Sequence, residues 1–200
     1  MEMAAVLSDG RRARHKAAVT QRILDAAREA FVTAGVNDAD LADIAQRAKV
    51  GRATLYRYFD GKDALVAALA EEDWDRQADL FARLAERPAL NAEVLAAWLR
   101  TLIRATAARR TSFPIYFAKA RNFDLTERLN GQRDRLMSIL AARFEGFSPV
   151  DPAGSMAGLL ILFEIEQFAA YAAVIDDRSK VETGIALITA KLLERLRPEA

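Results

Sequence analysis

The chain has 200 residues, of which 52% are apolar and 28% charged, enough to bury a sizeable core, and a formal net charge of +1 that by itself names no anionic partner. It contains no cysteine and one histidine, His15, near the N-terminus. That excludes a disulfide framework, a thiolate nucleophile, a cysteine zinc site, and any histidine base or triad in the body of the fold. With no glycine-rich phosphate loop either, no catalytic residue, metal site or cofactor is expected. Charge is unevenly spread: residues 1–62 carry 11 Lys/Arg against 8 Asp/Glu, and residues 63–200 carry 18 against 20.

Taken in order, the first segment, 1–16, lacks a signal-peptide apolar core and has Glu2 ahead of Arg11, Arg12, Arg14 and Lys16. It reads as a basic flexible arm or, equally, a solubilising tail, and a cytoplasmic protein is expected. Every periodic segment beyond it runs at helical spacing, and none alternates polar and apolar residues with hairpin turns. The fold is therefore expected to be all-α with about nine helices. A helix over 19–34 puts Ile23, Ala27, Ala30, Phe31 and Ala34 on one face and ends at Gly35, placed for a left-handed cap. A short helix over 41–48 starts from Asp40, with Asp43 in the reciprocal capping position. After Lys49-Val50-Gly51 comes a third helix, 52–58, with Leu55 and Phe59 one turn apart on its buried side, then Asp60-Gly61 and a fourth helix from Lys62.

Longer helices follow at 62–86, 91–109, 114–120, 124–145, 152–175 and 179–196. Asn91, Asp124, Asp151-Pro152 and Ser179 supply starts, while Pro88, Pro114, Gly146 and Pro149 supply breaks. The stretch from Met156 to Ile175 approaches membrane-spanning length, but Glu164, Glu166 and Gln167 are costly in hydrocarbon, so a buried soluble helix and no membrane are expected.

Two short helices joined by a three-residue turn are the layout of a helix-turn-helix. On the second of them, Arg52 and Arg57 can fork onto guanine edges or phosphate, and the Tyr56 ring can touch a thymine methyl. The hydroxyls of Thr54 and Tyr58 can donate to phosphate, and small Ala53 lets the backbone approach a groove. Lys62 adds a cation beside unpaired backbone N–H groups at the start of a helix. The competing reading is a half-buried surface with no ligand.

The run Thr20 to Leu69, with "RILDAAREAF", "DIAQRA", "TLYRYF" and "KDAL", closely resembles the DNA-binding domain of the TetR/AcrR family of transcriptional regulators. The 130 or so residues after Leu69 resemble that family only in helix count and spacing. The resemblance implies that Thr54, Tyr56 and Tyr58 touch bases or backbone of double-stranded operator DNA. It places Arg52, Ala53 and Arg57 at variable reading positions and Lys62 on a phosphate. Two departures stand out. The usual Gly-Val-Ser turn is Lys49-Val50-Gly51 here, and the usual threonine and polar residue at the start of the second helix are Asp40 and Ala42. A glycine cap in place of serine costs only about a few tenths of a kcal/mol, but Asp40 repels phosphate.

A three-part organisation results: arm 1–16, helix-turn-helix DNA-binding domain 17–62, and a helical bundle at 63–200 for ligand binding and dimerisation. One such module reads only a few base pairs, so a homodimer is expected, joined through the last two helices. A pocket for a small hydrophobic or aromatic effector is expected among Trp98, Phe113, Tyr116, Phe117, Phe163, Glu166, Gln167 and Tyr171, although ordinary core packing has the same makeup. Glu164 and Glu166, two positions apart, cannot share a helix face. The function expected is a ligand-released repressor. Its rivals are a DNA-binding or architectural protein controlled by a protein partner, and a helical enzyme or scaffold that borrowed the module.

Overall fold

The computed structural model describes residues 2–108, 123–144, 147 and 152–195. Among them are eight helices and no strand: α1 Glu2–Ala34, α2 Leu41–Arg47, α3 Arg52–Tyr58, α4 Lys62–Ala85, α5 Ala92–Ala107, α6 Phe123–Ala141, α7 Pro152–Ala172 and α8 Arg178–Arg195. The expected helix at 114–120, with Phe113, Tyr116 and Phe117, lies outside the described residues.

The chain divides into two compact units, the described residues up to Glu71 and those from Glu72 onwards. In the first, Val19, Ile23, Ala27 and Phe31 of α1 close over Ile44 and Ala45 of α2, Leu55 of α3, and Leu65, Val66 and Leu69 of α4. The first turns of α4 thus belong to this core, and the division falls beyond the 62/63 boundary expected from the turn at Asp60-Gly61. Gly35, at φ 82°, stops α1 by accepting the left-handed geometry, and its N–H donates to the Phe31 carbonyl at 3.0 Å.

Residues 2–18 correct one expectation: they continue α1 as helix where a flexible arm was expected. The physical reason lies in composition. Positions 11–18 are all Ala, Arg, His or Lys, with no proline, and alanine and long straight side chains lose least in a helix.

The second unit has its own core, in which α5 packs on both α7 and α8. Phe81 and Trp98 meet edge to face at 5.0 Å, and Trp98 Nε1 donates to the Leu80 carbonyl at 2.9 Å. Arg143 donates to the carbonyls of Ala85, Arg87 and Pro88, satisfying oxygens at and beyond the C-terminal end of α4. Asn91 caps α5 as expected, accepting from Val94 N at 2.9 Å. At α8 the cap is Asp177, which accepts from Lys180 N at 3.1 Å, so Ser179 lies inside the helix instead of starting it. Glu182 is drawn to Arg100, with contacts of 3.1 and 2.6 Å, and the guanidinium holds its carboxyl below the usual range.

Helix α7 is long and apolar enough to cross a membrane by length and composition alone. It is buried along Gly158, Leu162, Ile165, Ala169 and Ala172 only. The opposite face carries Met156, Leu160 and Tyr171 in the open, so one side of this apolar helix is uncovered in the single chain. Glu164 on that side pairs with Lys191 of α8 at 2.5 Å. Close packing of the two helices depends on Gly184, where an added Cβ would lie 2.2 Å from the Phe168 ring.

Candidate nucleic-acid interface

Two local motifs set the position of α3. Asp40 starts α2 by accepting from Ala42 N at 2.8 Å, while Asp43 sits in the first turn without a return bond. At its other end Lys49 N donates to the Gln46 carbonyl and Val50 N to the Ala45 carbonyl, each at 3.0 Å, which is the Schellman closure. Half-buried Val50 packs back on the core. This closure needs a left-handed residue after the cap, and Lys49 supplies it at φ 55°.

A side chain with a Cβ pays for that geometry with about 1–2 kcal/mol of steric strain, part of which glycine's freedom in the unfolded chain would offset. Lys49→Gly is therefore expected to stabilise the first unit by about 0.5–1 kcal/mol, read as a higher urea midpoint at unchanged m value. A lower midpoint would refute the strain argument.

Gly51 then caps α3 through its backbone carbonyl, which accepts from Thr54 N at 2.9 Å and Leu55 N at 3.0 Å, with no side-chain cap. Leu55 is fully buried and Phe59 nearly so. With those two fixed inward, helical geometry turns Arg52, Ala53, Tyr56 and Arg57 outward, and all four are exposed. Thr54 and Tyr58 lie half-buried on the flanks, with Tyr58 packed against the core edge. The Arg52 guanidinium lies 5.8 Å from the Tyr56 ring centroid, and that of Arg57 5.7 Å from the Tyr58 ring. Hydrogen bonding to Tyr56, and more weakly the charge of Asp40, raise the Arg52 pKa above its already high ordinary value. The exposed side of α3 is thus a permanently cationic, aromatic surface on a rigid support.

Lys62 is half-buried, and its Nζ donates to the Asn37 carbonyl at 2.5 Å, which ties the start of α4 to the loop after α1. An ammonium has three donors, so two are left for a phosphate. Lys49, exposed in the turn just before α3, is a further cation at this surface that the sequence treats only as part of the turn.

Of the residues expected to line an effector pocket, those described are dispersed. Trp98 is committed to the core through Phe81 and the Leu80 carbonyl. Phe163 and Glu166 are half-buried: the Arg133 guanidinium stands 4.2 Å from the Phe163 ring centroid, and Arg133 Nε lies 3.5 Å from Glu166, which also accepts from Gln77 at 3.1 Å. Gln167 and Tyr171 are exposed, on the side of α7 away from its buried stripe, and so do not join them. The cause is angular: 167 and 171 are one turn apart, and 165 and 169 take the inward side between them.

Residues 23–69 match the family of bacterial regulatory proteins described as the tetR family. The regulator SrpR of Pseudomonas putida is 47% identical over 60 residues, which cover 30% of this chain and 28% of SrpR. A transcriptional repressor of Mycobacterium tuberculosis is 38% identical over 69 residues, covering 34% of this chain and 37% of that protein. The match therefore spans well under half the length of these curated relatives. Over a wider stretch, 89% of this chain and 95% of the other, the chain superposes on GusR of Salmonella enterica with a TM-score of 0.67 at 24% identity, a likeness of fold. Residues 23–69 of the N-terminal unit thus carry the module of the tetR family of bacterial regulatory proteins, and the likeness over the rest of the chain is one of fold.

Proposed function

We propose that the protein is a cytoplasmic, sequence-specific transcriptional repressor that binds an operator duplex as a homodimer and is released by a small hydrophobic ligand. The observation that carries this reading is the outward set Arg52, Ala53, Tyr56 and Arg57 on α3, fixed by the burial of Leu55 and Phe59. Such a surface offers bidentate guanidinium forks and a ring for base edges, with Thr54, Tyr58 and Lys62 at its margins for phosphates. Repression follows the naming of one curated relative. Dimerisation is supported by the uncovered apolar residues of α7 and α8.

For the ligand, the supporting feature is the half-buried group of Arg133, Glu166, Gln77 and Phe163 in the second unit. A ligand that prefers the conformation with the wrong spacing of the two reading heads shifts the population toward it, to the extent of its differential affinity.

Selection of bound duplexes from a random pool tests the reading directly, and recovery of no preferred sequence at low salt would defeat it. On the recovered operator, Arg57→Ala is expected to cost about 1–3 kcal/mol and to relax base preference. Lys62→Ala is expected to weaken all duplexes alike and to reduce the slope of log K against log salt by about one. Equal, sequence-blind losses from both would remove Arg57 from the base-reading role.

A further inference from the structure

The first unit carries a second cationic surface that α3 does not explain. Between Gly10 and Leu24 the chain has Arg11, Arg12, Arg14, Lys16 and Arg22 together with His15, and no carboxylate; Asp9 and Asp25 are the nearest on either side. All eight residues from Arg11 to Ala18 are exposed, and Val19, directly after them, is buried. At 1.5 Å per residue, Arg11 stands about 12 Å along the helix from Val19, beyond the core that anchors the rest of α1.

We propose that this projecting basic stretch of α1, Arg11 to Lys16, is a second DNA-contacting element that takes duplex phosphates in addition to those met by α3. It rests on the DNA-binding reading above and adds to it a contact indifferent to sequence.

Three features point to a phosphate backbone as the occupant. First, charge is concentrated and unneutralised. Arg14 Nε donates to the Gly10 carbonyl at 3.1 Å, and among the described residues Arg11, Arg12 and Lys16 have no carboxylate partner. Second, the cations repel one another along the helix. Arg12 and Lys16 are four residues apart and Arg11 and Arg14 three, spacings at which like charges destabilise a helix. A polyanion relieves that repulsion and releases its own condensed counterions. Third, the cations form rows, with Arg11, Arg14, His15 and Arg22 along one side and Arg12 and Lys16 beside them, which suits a line of phosphates better than a single anion.

A lipid surface is the other extended anion, and composition argues against it. Residues 10–18, "GRRARHKAA", present no large apolar side chain to sink below lipid headgroups, whereas interfacial helices carry Trp, Phe or Leu opposite their cations. Continuity with the reading unit favours DNA further, since α1 is one uninterrupted helix whose next turns hold Ile23 and Ala27 in the core shared with Leu55 of α3.

The test compares the full-length protein with the variant Arg11→Ala/Arg12→Ala/Arg14→Ala/Lys16→Ala, in which alanine keeps helix propensity, on the selected operator and on a long random-sequence duplex. Affinity is measured across a salt series. The slope of log K against log salt is expected to fall by about two to four on both duplexes, each phosphate contact contributing about 0.9, with base preference retained. The charge-conserving variant Arg11→Lys/Arg12→Lys/Arg14→Lys is expected to restore the slope, which shows that loss in the alanine variant is not misfolding.

Unchanged slopes in the alanine variant would overturn the inference while leaving the reading by α3 intact. Loss of binding to phosphatidylserine vesicles without any change on DNA would overturn it in favour of a membrane. If the wild-type protein ignores every duplex, the DNA-binding reading fails and this inference with it.

Discussion

Replacing Leu160 and Leu187 by glutamate is expected to convert a dimer into a folded monomer and to cost on the order of 10²-fold or more in operator affinity. Both side chains lie in the open, 61% and 63% exposed, on α7 and α8. With Met156, Tyr171 and Val174 they leave a face of large apolar residues uncovered in one chain. In a two-fold interface every residue counts twice, so four leucines leave water on association. At about 1.5–3 kcal/mol for each buried side chain, their combined contribution has an upper bound on the order of 6–12 kcal/mol. Four carboxylates in their place remove that term and add like-charge repulsion across the axis. Neither position supports the chain's own core, so helicity and unfolding temperature are expected to stay close to wild type. Sedimentation velocity decides the first half of the prediction and operator titration the second. A variant that remains dimeric would move the interface elsewhere, and a wild-type monomer at micromolar concentration would end the dimer reading.

The Glu164–Lys191 pair gives that face a polar edge, with one partner on each helix. Exposed ion pairs contribute little to stability. In the proposed dimer their stronger effect would be on register, since a second copy would have to meet the carboxylate and the ammonium in complementary positions. Farther inside the same unit, Arg133 and Glu166 are both mostly covered. Removing one partner of such a pair leaves a charge in poor solvent, so a ligand that reaches Glu166 must bring a donor, and one that takes Arg133 must bring an acceptor. An apolar ligand with one terminal polar group satisfies either condition.

How much of this was legible in the sequence depends on how local each signal is. The spans of α2 and α3 agree with expectation to within a residue because Asp40, the Lys49-Val50-Gly51 turn and Asp60-Gly61 act on their immediate neighbours. The outward side of α3 follows from just two apolar residues, Leu55 and Phe59. By contrast, α7 is apolar nearly all round, so its sequence has no polar side to say which face meets the core. Tyr171 and Gln167 were consequently expected inward and lie outward. Asp177 displaces Ser179 as the start of α8 because a carboxylate two residues earlier reaches Lys180 N, and both residues are good caps by type. The contacts of Arg143 with the end of α4 and of Gly184 with Phe168 join positions far apart in sequence, and nothing in either segment alone announces them. Lys49 is a different kind of miss, because its left-handed backbone is set by the Schellman closure in spite of its side chain.

Leu55→Ala and Tyr56→Ala, neighbours on one helix, are expected to separate stability from binding. Leu55 is completely enclosed by the core of the first unit, so truncation removes buried surface and leaves a cavity, at a cost of about 2–5 kcal/mol. For a unit of this size that corresponds to a fall in melting temperature on the order of 10 °C or more. Since α3 is only seven residues long and is attached through Leu55, its reading surface loses its support when the anchor goes. Operator binding should therefore weaken in proportion to the fraction unfolded, and saturating duplex should recover part of the lost stability by mass action. Tyr56, 42% exposed, has the opposite profile: its removal is expected to change stability by no more than about 0.5 kcal/mol. Its loss takes away both the ring aimed at the groove and the side chain that holds Arg52, so binding should fall by about 1–3 kcal/mol. Thermal unfolding and fluorescence titration of the two variants side by side settle the orientation of α3. If Tyr56→Ala were as destabilising as Leu55→Ala, the tyrosine would belong to the core, and the surface assigned to DNA would not exist.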